Sequence, residues 1–268
     1  MRMKISEILE YTEFRSFLNR AKTVKTLLIG DICTDIYWSC DMTKSRLSRE
    51  TPHFPLPVVR ERMSLGAGGN AAGCIKSLGV SDLSVIGVVR NDWRGECLRR
   101  LLAERGIPDD SVITERTGFT NAYIKPMKFG FSGEEVESAA ALGKTPDRNA
   151  DISEYALLAK ELSDKMGSGV CMTVGDKGSI TVNGSAKLIP AVAIKPPFDV
   201  VGAGDCFLSA FSTAVAAGCP FEKAALFGNM ASSIVVKKIG TTGSASPEEL
   251  ETTYAEREVN SEKGIMNI

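Results

Sequence analysis

Seven residues, Asp199-Val200-Val201-Gly202-Ala203-Gly204-Asp205, run straight into an apolar stretch with helical spacing. Glycine at 202 and 204 lets the backbone turn sharply and leaves bare amide N–H groups at a helix N-terminus, where the helix dipole favours an anion. A carboxylate at Asp205, beside such amides, is placed to accept a proton from a hydroxyl attacking a phosphoryl group. The plainer alternative is a tight turn followed by a helix cap.

A second glycine cluster, Gly66-Ala67-Gly68-Gly69-Asn70-Ala71, also precedes a helix. It satisfies the short dinucleotide pattern Gly-x-Gly-x-x-Ala, but residues 57–64 before it are polar where that pattern needs a buried strand. The other reading is a backbone that approaches a hydroxylated ligand, with Asn70 offering a donor and an acceptor. Asp31 and Asp35 bracket the end of an apolar run at 26–31, and carboxylates at a strand's C-terminal edge are well placed to bind sugar hydroxyls. Residues 138–145 approach a phosphate loop but lack its first glycine, so a helix ending at Gly143 is expected there instead.

Several chemistries are excluded by count. His53 is the one histidine, in the loop-like Thr-Pro-His-Phe-Pro, which removes His-rich metal sites and most histidine-based triads. The seven cysteines are scattered with no Cys-x-x-Cys pair, so reduced and mostly buried thiols are expected. With 32 Lys+Arg against 33 Asp+Glu the chain lacks the basic footprint of a nucleic-acid binder. No apolar stretch is long enough for a membrane span, and the N-terminus has no signal-peptide core, so a cytoplasmic protein is expected.

The elements that position these residues alternate. Strands are expected at 26–31, 83–89 and 169–174, the first two buried on both faces, with a hairpin at Asn183-Gly184. Helices are expected at the amphipathic N-terminus and over 71–78, 94–105, 206–217 (buried all round) and 221–238, with a last one opened by Pro247. Strand and helix in this order imply an α/β fold with a parallel sheet covered on both faces. Residues 36–63 and 121–131 break the rhythm and read as strands of a small lid. Its apolar positions Ile36, Trp38 and Val58 suggest pairing with a second copy.

Taken together, these motifs resemble the ribokinase, or PfkB, family of carbohydrate kinases. Residues 199–205 resemble its C-terminal Asp-Thr-Thr-Gly-Ala-Gly-Asp signature, with valine for both threonines. Gly66-Ala67-Gly68-Gly69-Asn70 resembles its sugar-contacting glycine region, Thr173-Val174-Gly175-Asp176-Lys177-Gly178 its nucleotide-side turn, and Gly228-Asn229-Met230-Ala231 its helix beside the adenine. Within the family, residues 30–38 and 51–59 look most like the heptose-7-phosphate kinase module of ADP-heptose synthesis, with no adenylyltransferase domain following.

The resemblance implies a ribokinase-like three-layer α/β/α fold over residues 1–268, with a mainly parallel central sheet and a β lid. It implies Asp205 as general base, with the amides of Gly202, Ala203 and Gly204 as the anion hole. Asp31, Asp35, Gly68, Gly69 and Asn70 would lie on the sugar side, and Thr173, Gly175, Gly178 and Asn229 on the ATP side. Asp199, Val201 through its carbonyl, Gly240 and Ser244 would surround a monovalent cation, K+. Magnesium would arrive with ATP.

One departure stands out. Between Lys128 and Ala139 the family has further strand–helix units and an Asn-x-x-Glu motif, and neither is found here. Glu134, Glu135 and Glu137 could be remnants of it. The leading expectation is therefore an ATP-dependent sugar or sugar-phosphate kinase. The alternatives are a non-catalytic sugar-phosphate or nucleotide binder of the same fold and a dinucleotide oxidoreductase.

Overall fold

The computed structural model describes residues 2–50, 55–127 and 151–268. The loop context of His53, the helix end at Gly143 and the acidic run at 134–137 lie outside these residues. The chain divides into two compact units.

One unit comprises residues 26–73 and 83–131. Strands β2 (Lys25–Ile29), β5 (Asp82–Arg90) and β6 (Val112–Glu115) form a three-stranded sheet, with β5 and β6 parallel. Burial along β5 alternates, so Leu83, Val85 and Val89 face the interior. Contrary to expectation, β2 is not buried on both faces. Leu27 and Ile29 are 55% and 69% exposed, and Val88 and Ile113 are exposed beside them. The apolar run marked a strand correctly, but only one of its faces finds a covering layer among the described residues. Helix α3 (Trp93–Glu104) starts on Asp92, whose carboxylate accepts N–H bonds from Gly95 and Thr120.

The segments expected as a lid pair as a separate sheet in the order β4-β3-β7. Strands β3 (Ile32–Cys40) and β4 (Val58–Ala67) run antiparallel, and β7 (Ala122–Met127) lies parallel on the other side of β3. Ile36 was expected at the exposed surface but is 1% exposed. It turns inward from the face that carries Asp35 and Tyr37. Trp38 is half-buried, its indole N–H bonded to Glu61.

The other unit comprises residues 1–25, 74–82 and 132–268. A four-stranded antiparallel sheet in the order β12-β10-β9-β8 is built from β8 (Val170–Thr173), β9 (Gly178–Asn183), β10 (Ser185–Pro190) and β12 (Met266–Asn267). The Asn183-Gly184 hairpin is present, with Gly184 at φ +88°. Two-residue strands β1 (Met3–Lys4) and β11 (Glu258–Val259) pair separately. Helix α4 (Ile152–Met166), absent from the sequence reading, packs Tyr155, Ala156 and Ala159 on the sheet residues Val170, Met172, Ile180 and Val182.

The rest of this unit is helical. Helix α1 (Tyr11–Ala21) turns Phe14 and Phe17 inward, α5 is Ala203–Ala216, α6 is Phe221–Val235 and α7 is Pro247–Glu256. Ring centroids of Phe17 and Phe227 lie 3.7 Å apart and those of Phe14 and Tyr254 4.5 Å apart, so the first helix closes the core of the last two. Helix α5 is not buried all round, since Leu208 is 57% exposed. Its inner face carries Cys206, Phe207, Ala210 and Ala214. A Cβ on Gly228 would come within 2.7 Å of the Phe207 ring, so glycine sets the approach of α6 to α5. All seven cysteines are free thiols, four of them buried.

Candidate active site

In the unit that carries the β4-β3-β7 sheet, the strand register gathers a polar face. Because side chains alternate, Asp35 and Tyr37 share one face of β3. Their partners are Ser64 and Arg62 on β4 and Tyr123 and Lys125 on β7. The Lys125 ammonium lies 2.6 Å from Asp35 Oδ2 and the Tyr37 hydroxyl 3.3 Å from the same oxygen. The Arg62 guanidinium stands 4.0 Å above the Tyr37 ring and Lys125 Nζ 5.0 Å from it. Asp35 is 5% exposed. Burial pushes the Lys125 pKa down, but the hydrogen-bonded Asp35 carboxylate outweighs it and leaves the ammonium above the ordinary lysine range. A carboxylate with two cations one row away is a surface that suits a polyol carrying an anionic group.

The glycines beside this face have definite jobs. A Cβ on Gly66 would stand 2.4 Å from Asp35 Oδ1, so only glycine leaves that carboxylate its place. Gly68 donates its N–H to the Asp31 carbonyl at 2.9 Å, and a Cβ there would lie 2.7 Å from the same oxygen. Gly69 packs on Leu65, with a Cβ at 3.3 Å. Ala67 between strand and helix has φ +48°, alone among the described non-glycine residues in being positive. Asn70 is 4% exposed in the first turn of α2 (Gly68–Ser77). Asp31 is exposed and accepts a bond from the Asn121 amide at 3.0 Å. The strand entering this cluster, β4, is antiparallel to β3, which is not the parallel β-α-β setting of a dinucleotide fingerprint.

Sequence reading missed Tyr37, Arg62 and Lys125. Lys125 is 90 positions from Asp35, and only the parallel pairing of β7 with β3 joins them.

In the helical unit, Gly202 is the N-cap of α5 in the left-handed region, φ +79°. Asp205 follows in the first turn and is half-buried, neither sealed in the core nor fully solvated. The Gly204 N–H has no protein partner among the described residues, and a Cβ there would meet open space. The Ala203 N–H, expected as part of an anion hole, donates instead to the Val200 carbonyl at 3.1 Å, because the turn closes on itself. Ser232 of α6, another residue not anticipated, donates to the Ala203 carbonyl at 2.9 Å and fixes the turn from the side.

Around this turn, Asp199 Oδ1 accepts the Val201 N–H at 3.1 Å and Oδ2 the Gly240 N–H at 3.0 Å, while its own N–H reaches the Val236 carbonyl at 2.7 Å. Thr173 ends β8 and is exposed, and Gly175 has φ +61° with open space about it. Gly178 is buried at φ +109°, and a Cβ there would strike the Ile189 carbonyl at 2.1 Å. Asn229 is 7% exposed, and its amide donates to the carbonyls of Ile189 and Pro190, both at 3.1 Å. Its nitrogen therefore ties α6 to β10, and only Oδ1 remains for a ligand.

Comparison with known proteins places these features in context. The pfkB family carbohydrate kinase profile matches residues 131–249, which include the Asp199–Asp205 turn and Asn229. The chain is 25% identical to the bifunctional protein HldE of Citrifermentans bemidjiense over 343 residues, covering 97% of this chain and 69% of that protein. It is 27% identical to HldE of Sulfurimonas denitrificans, covering 82% of this chain and 62% of that protein. An aligned span of 343 residues against a chain of 268 leaves at least 75 of its positions without a counterpart here.

Among solved structures, ribokinase of Thermotoga maritima superposes with a TM-score of 0.64 at 18% identity, covering 87% of this chain and all of that one. Phosphofructokinase-2 of Escherichia coli, in complex with potassium, gives 0.69 at 16%, covering 87% and 98%. The chain has the ribokinase-like α/β fold, and its residues 131–249 match the pfkB carbohydrate kinases.

Proposed function

We propose that the chain catalyses ATP-dependent phosphoryl transfer to a hydroxyl of a sugar phosphate, of the kind a heptose-7-phosphate kinase uses. The observation that carries this reading is the turn into α5. There Gly202 in the left-handed region, the unpartnered Gly204 N–H and the half-buried Asp205 stand together at a helix N-terminus, inside the segment that matches the carbohydrate kinases. Asp205 takes the proton of the attacking hydroxyl, and the Gly202 and Gly204 amides offset charge on the transferring group. Asp35 and Asn70 hold sugar hydroxyls, while Lys125 and Arg62 favour a substrate that already bears an anion. Magnesium bound to ATP supplies charge neutralisation between the phosphates. Thr173, Gly175 and Gly178 flank the nucleotide.

The test is ADP release with a panel of heptose phosphates, hexoses, hexose phosphates, ribose and nucleosides. Turnover confined to anionic sugars is the expected result, and release with none of them would end the reading.

A second reading is favoured by the aligned positions missing from this chain. It is a binder of sugar phosphate or nucleotide without turnover, which would show ligand-dependent thermal stabilisation and no ADP release. Val58 and Val59, 43% and 53% exposed on the edge strand β4, support pairing of the lid with a second copy, and a monomeric mass at working concentration would remove that part of the proposal.

A further inference from the structure

Four residues, Asp199, Val201, Gly240 and Ser244, are the candidates for holding a monovalent cation, and their fit can be tested on where their oxygens already go. The Ser244 carbonyl accepts the Lys238 ammonium at 2.5 Å, and the same ammonium reaches Glu249 Oε1 at 2.6 Å. The Ser244 hydroxyl is 2.8 Å from Ser77 Oγ. Next in sequence, Lys237 Nζ donates to the Lys195 carbonyl at 2.8 Å and the Pro197 carbonyl at 2.9 Å. Both Asp199 oxygens accept backbone N–H groups, from Val201 and Gly240. The segment 195–201 is thus already fastened to the turn 236–240 by Asp199 N–H to Val236 O, by Gly240 N–H to Asp199 and by the Lys237 ammonium.

The Ser244 carbonyl of this set is therefore taken by an ammonium, and each Asp199 oxygen already accepts a backbone N–H. An ammonium resembles K+ in charge and in its preference for carbonyl oxygen, and one already holds the Ser244 carbonyl. Such an ammonium thus occupies that oxygen with its charge already balanced by Glu249, and a second cation would have to displace it.

We propose that this chain supplies its own cation: the Lys238 ammonium on Ser244, with Lys237 clamping the loop before α5, replaces a bound monovalent ion and makes the protein indifferent to potassium. Lys237 is then a positioning residue for the loop that leads into Gly202, Gly204 and Asp205, and Lys238 one for the Ser244 segment.

The decisive experiment compares the melting midpoint of the full chain in potassium, sodium and tetramethylammonium chloride at equal ionic strength. The expected result is the same midpoint in all three, and a saturable potassium-specific rise would overturn the proposal. Lys238→Met frees the Ser244 carbonyl and is expected to melt lower and to acquire a potassium-specific recovery, while Lys238→Arg retains the wild-type indifference. A folded Lys238→Met that ignores potassium would also overturn it. If Lys238→Met does not fold, Lys238→Gln serves in its place, and the wild-type comparison decides regardless.

A second readout is binding of the ATP analogue adenylyl imidodiphosphate, expected to weaken about tenfold in Lys237→Met and to recover in Lys237→Arg. This readout rests on the proposed ATP site, whereas the salt comparison does not. A chain that melts identically in the three salts yet binds no nucleotide would sink the proposed function and leave the built-in cation standing.

Discussion

The Cα of Gly66 sits so close to Asp35 that a methyl group on it would lie 2.4 Å from the carboxylate oxygen Oδ1. Gly66→Ala must therefore push Asp35 off the Lys125 and Tyr37 partners it now has, or push β4 off β3. The expected outcome is a folded protein whose KM for the sugar rises about tenfold or more with a smaller change in kcat, read by steady-state kinetics. An unchanged KM would show that Asp35 does not hold the sugar.

Asp205→Asn keeps the shape of the first turn of α5 and removes the proton acceptor. Turnover should fall by about 10²–10⁴, the usual worth of a positioned general base, with ATP affinity largely intact by calorimetry. Loss of ATP binding in parallel would point to a structural role for the carboxylate.

The Asp35–Lys125 pair sets a pH limit on the alkaline side. The folded-state pKa of Lys125 is raised, so its contribution to stability is full below the unfolded lysine value, about 10.4, and is lost as pH rises through the higher folded value. Melting midpoints of wild type and Lys125→Met should therefore differ by a constant amount through the neutral range and converge only at strongly alkaline pH. Convergence at neutral pH would contradict the assignment.

Gly178 is the most demanding glycine of the turn at 173–178. Its φ of +109° and the 2.1 Å clash a Cβ would make with the Ile189 carbonyl mean that both backbone strain and sterics oppose any side chain. Gly178→Ala should lose about 3 kcal/mol or more in denaturant unfolding. Gly204→Ala, where the space is open and φ is not in the left-handed region, should gain up to about 1 kcal/mol, because alanine favours the helix.

Much of this architecture was readable in the chain because local rules decided it. Pro247 and the Ser246–Glu249 capping box start α7, Asn183-Gly184 makes the hairpin, and the glycines at 202 and 204 mark the turn into α5. What was not legible depended on which of several available partners a polar group finds, whether across ninety residues or across three. No local pattern foretells that Lys125 meets Asp35 through β7, that Lys238 reaches Ser244 and Glu249, or that the Ala203 N–H is spent on Val200. The two-sided burial expected of β2 failed for a related reason: hydrophobic runs report what a strand could bury, and only tertiary structure says whether anything arrives to cover it. Helix α4 escaped notice because its apolar face is built partly of alanine and tyrosine, whose periodicity is weak.

The ring contacts of Phe14 with Tyr254 and of Phe17 with Phe227 carry a consequence for biosynthesis. The aromatic side chains of α1 are translated more than two hundred codons before the surfaces they need. At ordinary elongation rates of about 5–20 residues per second those rings wait tens of seconds for their partners. Moving α1 behind α7 by circular permutation should shorten that wait.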